Sequence, residues 1–304
     1  MLLKDFLHDR YAPLHQLCDR TVELYLQSIA RFEDHLGHPP SFDDLDDLIV
    51  SRFLRERCNA KVFGRTTISR HSVKKDRTQL VAMWTLAAKK RLQKADGSVV
   101  EFPALPPFRV PEKAPQGYLL DEVKRLISSC QAFRGVTGRR PKPRSWFFAT
   151  LYLTLWQTAG RIGEVMAATW GDVDWQRGVI RFRAETRKKQ TRDIDRPLSP
   201  DLLLLLARHQ GAPDERIWDW ERLPNTIYLH LRRQCNRLGI KCRGFHGFRK
   251  AAASYFHAAG GAAHDLLDHH DQGGLARKHY LDPRIVGHGP SALDRLPKID
   301  VTGT

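Results

Sequence analysis

The sequence predicts a mainly α-helical protein of two domains: an all-α bundle, then a mostly helical domain carrying a β-hairpin or small three-stranded sheet. Three observations lead there. Apolar residues recur at three- and four-residue steps through residues 22–92 and again after Ser199, as on the buried stripe of a helix. The stretch Val179-Ile-Arg-Phe-Arg183 alternates as a strand does. Between the helical regions, Pro103, Pro106, Pro107, Pro111, Pro115 and Gly117 crowd a segment that cannot continue a helix. A chain of 304 residues also suits two domains of ~100–200 residues. The boundary is placed between residues 1–112, the helical domain with its linker, and 113–304.

In order along the chain, Val22, Leu26, Ile29, Phe32 and Leu36 predict a first helix, with Asp19 as its cap. A second runs from about Asp43 to Arg57, with Leu45, Leu48, Ile49 and Phe53 on one face. A third runs from about Ser69 to Leu92 through Val73, Leu80, Trp84 and Ala87. In the second domain a helix starts at Asp121 and buries Val123, Leu126 and Ile127. A long apolar helix covers Trp146 to Gln157. Gly160 interrupts it, and a short helix follows through Val165. The Val179–Arg183 strand pairs with a second at about Asp193–Leu198, across a very basic tip.

Lys and Arg number 50 against 34 Asp and Glu, a formal charge of +16 and a pI of about 9.9, which points first to a nucleic-acid partner. The charge is partitioned. Residues 1–56 carry six basic and eleven acidic residues, whereas residues 57–94 carry eleven basic and one acidic. Arg70, Lys74 and Arg77 share one helix face by their spacing and are read as DNA contacts rather than a merely solvated face. No run approaches the ~20 apolar residues of a membrane span, and Met1-Leu2-Leu3-Lys4-Asp5 lacks the layout of a secretory signal. Five cysteines, odd in number and without a CxxC pair, read as thiols of a reducing cytoplasm.

Four separated segments carry the chemistry. They are Thr158-Ala-Gly-Arg-Ile-Gly-Glu164; Thr186-Arg-Lys-Lys-Gln-Thr-Arg192 leading to Arg196-Pro-Leu-Ser199; Phe245-His-Gly-Phe-Arg-Lys250; and Leu266-Leu-Asp-His-His-Asp271 followed by Ala276-Arg-Lys-His-Tyr-Leu-Asp-Pro283. Each alone is weak: a surface Arg, a charged loop, an HxxR found in many helices, a half-buried Tyr. Together, over residues 118–283, they resemble the tyrosine recombinases, the family of phage integrases and of Xer- and Cre-type recombinases. That family's order is Arg, a hairpin Lys, His-x-x-Arg, a His or Trp after Leu-Gly, then Tyr. The flanking Leu119-Leu-Asp-Glu-Val-Lys-Arg-Leu126 and Trp170-Gly-Asp-Val-Asp174 match too. The N-terminal part resembles the family's core-binding domain in shape and charge only.

The resemblance implies two domains clamped around duplex DNA and the following roles. Arg161 and Arg249 are guanidinium forks for the phosphate. Lys189 protonates the leaving 5′-oxygen. His246 assists proton transfer at the nucleophile, and His269 bonds a phosphate oxygen. Glu164 supports Arg161 or His246. Tyr280 is the nucleophile, forming a 3′-phosphotyrosyl bond whose stored energy makes ATP unnecessary. Counting back from Pro197 favours Lys189 over Lys188. Following the double Leu favours His269 over His270, although eleven residues to Tyr280 is a little long for the family. Arg187 and Arg192, beside the tip, are expected on DNA. Two departures stand out: Thr158-Ala-Gly-Arg161 in place of Thr-Gly-x-Arg, and Leu267-Asp268-His269 in place of Leu-Gly-His.

The expected activity is site-specific recombination, integrating or excising a mobile element, without metal or other cofactor. The expected partner is double-stranded DNA, bound near the nucleoid, with a monomer in free solution and a homotetramer on paired sites. Residues 284–304 dock on a neighbour or pack on their own domain. The alternatives are a catalytically silent DNA-binding relative and a relaxing enzyme of the type IB topoisomerase kind. Zinc at Cys235, Cys242, His246 and His257 is disfavoured because the cysteines lack ligand spacing. The histidines at 264, 269, 270 and 279 are better explained by the family order, and a helix-turn-helix regulator does not explain that order.

Overall fold

The computed structural model describes residues 1–62, 66–187, 192–268 and 274–287. The chain divides into two compact units, Met1–Glu112 and Lys113–Thr304.

The first unit is built on three helices, α1 (Asp19–Leu36), α2 (Asp47–Asn59) and α3 (Arg70–Lys89). Residues 3–14 add helical turns that bury Leu3, Phe6, Leu7 and Tyr11. Asp19 is not a cap. It lies inside the first turn of α1, where its charge suits the positive end of the helix. The second helix begins later than expected, because the Asp46 carboxylate accepts from the Leu48 and Ile49 amides at 2.8 and 3.1 Å. Starting there, it buries Val50, Phe53 and Leu54 and leaves Leu48 in solvent. α3 starts after Ser69, whose hydroxyl accepts from the Ser72 amide at 3.2 Å, and it buries Val73, Leu80, Trp84 and Ala87.

Asp76, the single acid of the basic stretch, sits on that same apolar stripe and is 1% exposed. It accepts hydrogen bonds from the Ser28 hydroxyl (2.8 Å) on α1, from Arg31 (3.0 Å) and from Arg57 (3.3 Å) on α2, so one carboxylate ties the three helices together. Removing it would leave two guanidinium groups facing each other over a buried gap. Asp76→Ala is therefore expected to cost about 3 kcal/mol of stability, read from denaturant unfolding of the full chain. A midpoint unchanged from wild type would show that the arginines find solvent instead.

The Pro-rich segment is not a free tether along its first half. Leu105 and Phe108 pack against the core of the first unit. Arg77 donates to the carbonyls of Leu105 (3.2 Å) and Pro106 (3.1 Å), and the Arg70 guanidinium lies 5.2 Å from the centre of the Phe108 ring.

The second unit is organised round α5 (Arg144–Thr158), after α4 (Leu120–Ser129). Trp146, Phe147, Phe148, Leu151, Tyr152 and Leu155 are all buried, so α5 is surrounded on every side. Thr150, Thr154 and Thr158 are tolerated in that core because each hydroxyl donates to the carbonyl four residues back. After α5 come α6 (Ile162–Ala167) and a three-stranded antiparallel sheet, β1 (Val173–Asp174), β2 (Val179–Phe182) and β3 (Ile194–Pro197), in that spatial order. The expected hairpin is thus β2–β3, with Phe182 opposite Ile194. Helices α7 (Pro200–Ala207), α8 (Pro224–Arg237), α9 (His246–Ala258), α10 (Ala263–Leu267), α11 (Gly274–His279) and α12 (Pro283–Val286) complete the unit. α9 packs directly on α5, with the Phe248 ring 5.1 Å from the Tyr152 ring. Gly117, at the start of the unit, lies so close to α9 that a Cβ would stand 2.6 Å from the Ala251 nitrogen. No helix among the described residues is long and apolar enough to cross a membrane.

Candidate active site

Arg161 stands in the gap between α5 and α6, and the gap is shaped by its two preceding residues. Ala159 closes α5 in the left-handed conformation, φ 50°, that glycine adopts most readily. Gly160 follows where a Cβ would meet Val165 at 2.9 Å and Thr158 at 3.0 Å. The chain then enters α6 with Arg161 extended. Buried Glu164 accepts both the Arg161 amide (2.9 Å) and its guanidinium (2.7 Å), which fixes the side chain while leaving it part-exposed. Glu164 serves Arg161 and stands 3.7 Å from Arg187; no bond to His246 is formed.

Arg249 lies on α9 and is 3% exposed. One of its terminal nitrogens donates to the carbonyl of Ala159 and the other to that of Leu267, at 2.8 Å. It therefore satisfies the open carbonyls at the ends of α5 and α10 together. Burial and then the charge of Arg161 lower its pKa to about 10, against the pull of Tyr280 and Glu164, so it remains a cation at neutral pH. Its Nε is enclosed and has no hydrogen-bond partner among the described residues.

Tyr280 follows α11 directly, half-buried, with its ring centre 5.4 Å from the Arg249 guanidinium and 5.2 Å from the His246 ring. Crowding by protein atoms, then the cations Arg249, Lys250 and Arg161, push His246 down to about 4, although the residue keeps an open edge to solvent. It is neutral at pH 7. The chain beyond Tyr280 is anchored: the Ser254 hydroxyl on α9 contacts the Tyr280 carbonyl (3.2 Å) and accepts from the Asp282 amide (2.8 Å). The Asp282 carboxylate, fully buried, accepts from the Gly117 amide (2.8 Å) and from Arg284 (2.6 Å).

Arg161, Glu164, His246, Arg249 and Tyr280 are thus brought to one place from three separate stretches of chain. Lys188, Lys189, His269 and His270 lie outside the described residues, as do residues 288–304. Arg187 corrects the expectation of a DNA contact. Its side chain is 2% exposed and donates to Asp268 at 2.6 Å, which leaves it no phosphate-facing surface. Arg192 keeps 65% of its side chain exposed and gives one nitrogen to the other oxygen of Asp268, at 2.7 Å. Of the first-unit residues, Lys74 is open to solvent, whereas Arg70 and Arg77 also hold the segment 105–108. Cys235 is a buried thiol against the Tyr118 hydroxyl, its pKa pushed up to about 12 by burial. Asp268, Asp282, Ser254 and Arg196 are structural members of the site that the sequence reading missed. The replacement of the family's Gly by Asp268 was the available signal for the first.

The architecture is that of the tyrosine recombinases. A lambda integrase fragment crystallised as a dimer bound to a COC′ core site matches over 99% of this chain and 100% of that one, with TM-score 0.67 and 18% identity. The Tn1549 transposon integrase in complex with transposon right end DNA matches over 92% and 95%, with TM-score 0.67 and 13% identity. XerH bound to a palindromic difH substrate matches over 87% and 77%, with TM-score 0.62 and 13% identity. Neither a protein-family model nor a curated protein matches the sequence.

Proposed function

We propose that the chain is a site-specific DNA recombinase that cuts and rejoins strands through a 3′-phosphotyrosyl intermediate on Tyr280. The observation that carries this reading is the convergence of Arg249 and His246 on the Tyr280 ring, with Arg161 close enough to depress both their pKa values. In the step envisaged, the phenolic oxygen bonds to phosphorus and its proton passes to neutral His246. The phosphorus–O5′ bond breaks, its electron pair stays on O5′, and that oxygen takes a proton from the hairpin lysine, Lys189 or Lys188. Arg249 uses two of its five donors on carbonyls and Arg161 directs its Nη1 to Glu164, so both keep donors for the phosphate oxygens. The negative phosphodiester offsets the cations round His246, the lesser cause of its low pKa after burial, and so favours the protonated ring when DNA is bound.

The lambda integrase tetramer on a Holliday junction has TM-score 0.65 over 99% of this chain and supports an assembly of four protomers on paired sites. The test is covalent capture. The protein is mixed with a randomised pool of nicked duplexes in EDTA, and SDS-stable adducts are recovered and sequenced. Adducts on a common site support the reading, strand exchange between two such sites separates it from a topoisomerase, and binding without adduct makes the chain a silent relative. On the captured site, Lys74→Gln is expected to weaken binding and to reduce the log–log salt slope by roughly 0.9. An unchanged slope would remove Lys74 from the phosphate contacts.

A further inference from the structure

The chain just beyond Tyr280 is held more firmly than the short helix α12 requires. A helix of one turn has little stability of its own, yet the Asp282 that caps it is fully buried and engages both carboxylate oxygens. Oδ1 accepts from the Arg284 amide (3.0 Å) and from Arg284 Nε (3.1 Å). Oδ2 accepts from Arg284 Nη2 (2.6 Å) and from the Gly117 amide (2.8 Å). The same Nη2 donates to the Gly117 carbonyl at 2.9 Å. One ion pair thus takes both backbone polar groups of Gly117. Gly117 in turn is pressed on α9, where a Cβ would meet the Ala251 nitrogen at 2.6 Å. The next amide, of Tyr118, donates to the Gly247 carbonyl at 3.3 Å. The backbone at 117–118 therefore cannot shift without disturbing the helix that carries His246 and Arg249.

A buried carboxylate with a cationic partner is a poor way to stabilise a fold, because desolvation offsets much of the attraction and apolar residues of similar size often serve as well. What the arrangement supplies here is position. Two residues of chain span at most ~7 Å, so fixing residue 282 limits how far Tyr280 can swing. We infer that Asp282 is a positioning residue for the nucleophile: with Arg284 it clasps the backbone of Gly117, and so keeps Tyr280 beside Arg249 and His246 before DNA arrives. The inference rests on the strand-cleavage reading of the site. A nucleophile already in place has less orientational freedom left to lose on the way to the transition state.

The test separates seating of the tyrosine from every other effect. Asp282→Asn keeps an acceptor and a capping side chain but removes the charge that binds Arg284. Arg284→Ala, at a partly exposed side chain, opens the clasp from the other side. Both are expected to slow adduct formation on the nicked duplex of the captured site by roughly 10²-fold. Each is then combined with Tyr280→Phe, and hydrogen peroxide is supplied as the attacking group. A peroxide oxygen bonds to phosphorus and gives its proton to solvent; the bond to O5′ breaks, and O5′ keeps the electron pair and takes up a proton. This reaction needs the arginines but no seated tyrosine, so the combined variants are expected to match Tyr280→Phe alone. Hydrogen exchange gives a readout independent of cleavage. In Asp282→Asn, residues 274–286 are expected to lose protection roughly tenfold or more, with α5 and α9 unchanged. Wild-type adduct rates in both variants would overturn the inference, as would unchanged protection of residues 274–286. So would an equal loss with peroxide, or faster exchange throughout α5 and α9, either of which would place the effect in the fold. Where peroxide does not cleave with Tyr280→Phe itself, the exchange result decides. Failure of the wild-type protein to form an adduct would instead sink the strand-cleavage reading, and exchange would still show whether the clasp seats residue 280.

Discussion

Tyr280→Phe is expected to abolish the covalent protein–DNA adduct and to leave duplex binding nearly unchanged. The substitution removes the only atom that would bond to phosphorus. It keeps the ring that lies beside the Arg249 guanidinium and the His246 ring, so the packing of the segment survives. The anchors beyond it do not sense the hydroxyl: Ser254 bonds the backbone at 280 and 282, and the Asp282 carboxylate bonds Gly117 and Arg284. The measurement is an SDS gel of labelled nicked duplex in EDTA, alongside a mobility-shift titration of the same DNA. A labelled adduct with the Phe variant would falsify the assignment of Tyr280 and with it the proposed reaction.

The second large effect is expected at the two arginines, and they are expected to differ. Arg161→Lys and Arg249→Lys should each lose roughly 10²–10³ in cleavage rate, as when one preorganised donor is taken from a developing anion. A lysine cannot reproduce a planar fork. Only Arg249→Lys should also unfold earlier, by about 2 kcal/mol, because its guanidinium bridges the carbonyls at Ala159 and Leu267 while Arg161 is bonded to Glu164 at the edge of the fold. Single-turnover rates together with thermal unfolding decide it. Equal stabilities would mean that those carbonyls find other donors, and an unchanged rate for either variant would remove that residue from the reaction.

Much of the fold was legible in the sequence because its elements advertise themselves locally. The period of α1 and α3, the interruption at Gly160 and the alternation of Val179 to Phe182 each need only a few neighbouring residues to be recognised. The reading failed where the decisive partner is distant. Arg187 looks like one more cation in a basic run, and only the fold brings Asp268, 81 positions away, against it. Leu48 fits the helical period, but the carboxylate of Asp46 starts the helix where that residue faces out. Asp76 was visible as the lone acid among bases, three residues after Val73 and four before Leu80, yet its three partners lie on two other helices. The convergence of Arg161, Arg249 and Tyr280 was anticipated only through the order of their segments, since no local rule brings α5, α9 and α11 together.

The bond between the Gly117 amide and the Asp282 carboxylate spans 165 positions, and this bears on when the protein becomes competent during its own synthesis. Contacts between residues far apart in sequence form late, because the loop they close must first be made and then ordered. The helix bearing His246 and Arg249 can pack on α5 before residue 280 has left the ribosome. The nucleophile's segment cannot be seated until Asp282 and Arg284 arrive to grip a backbone laid down at the start of the unit. On the proposed reading, a chain halted short of that point would hold a phosphate-binding surface but not the group that cuts. If the proposed function holds, the ability to break DNA is acquired last, after the parts needed to hold the broken end are in place.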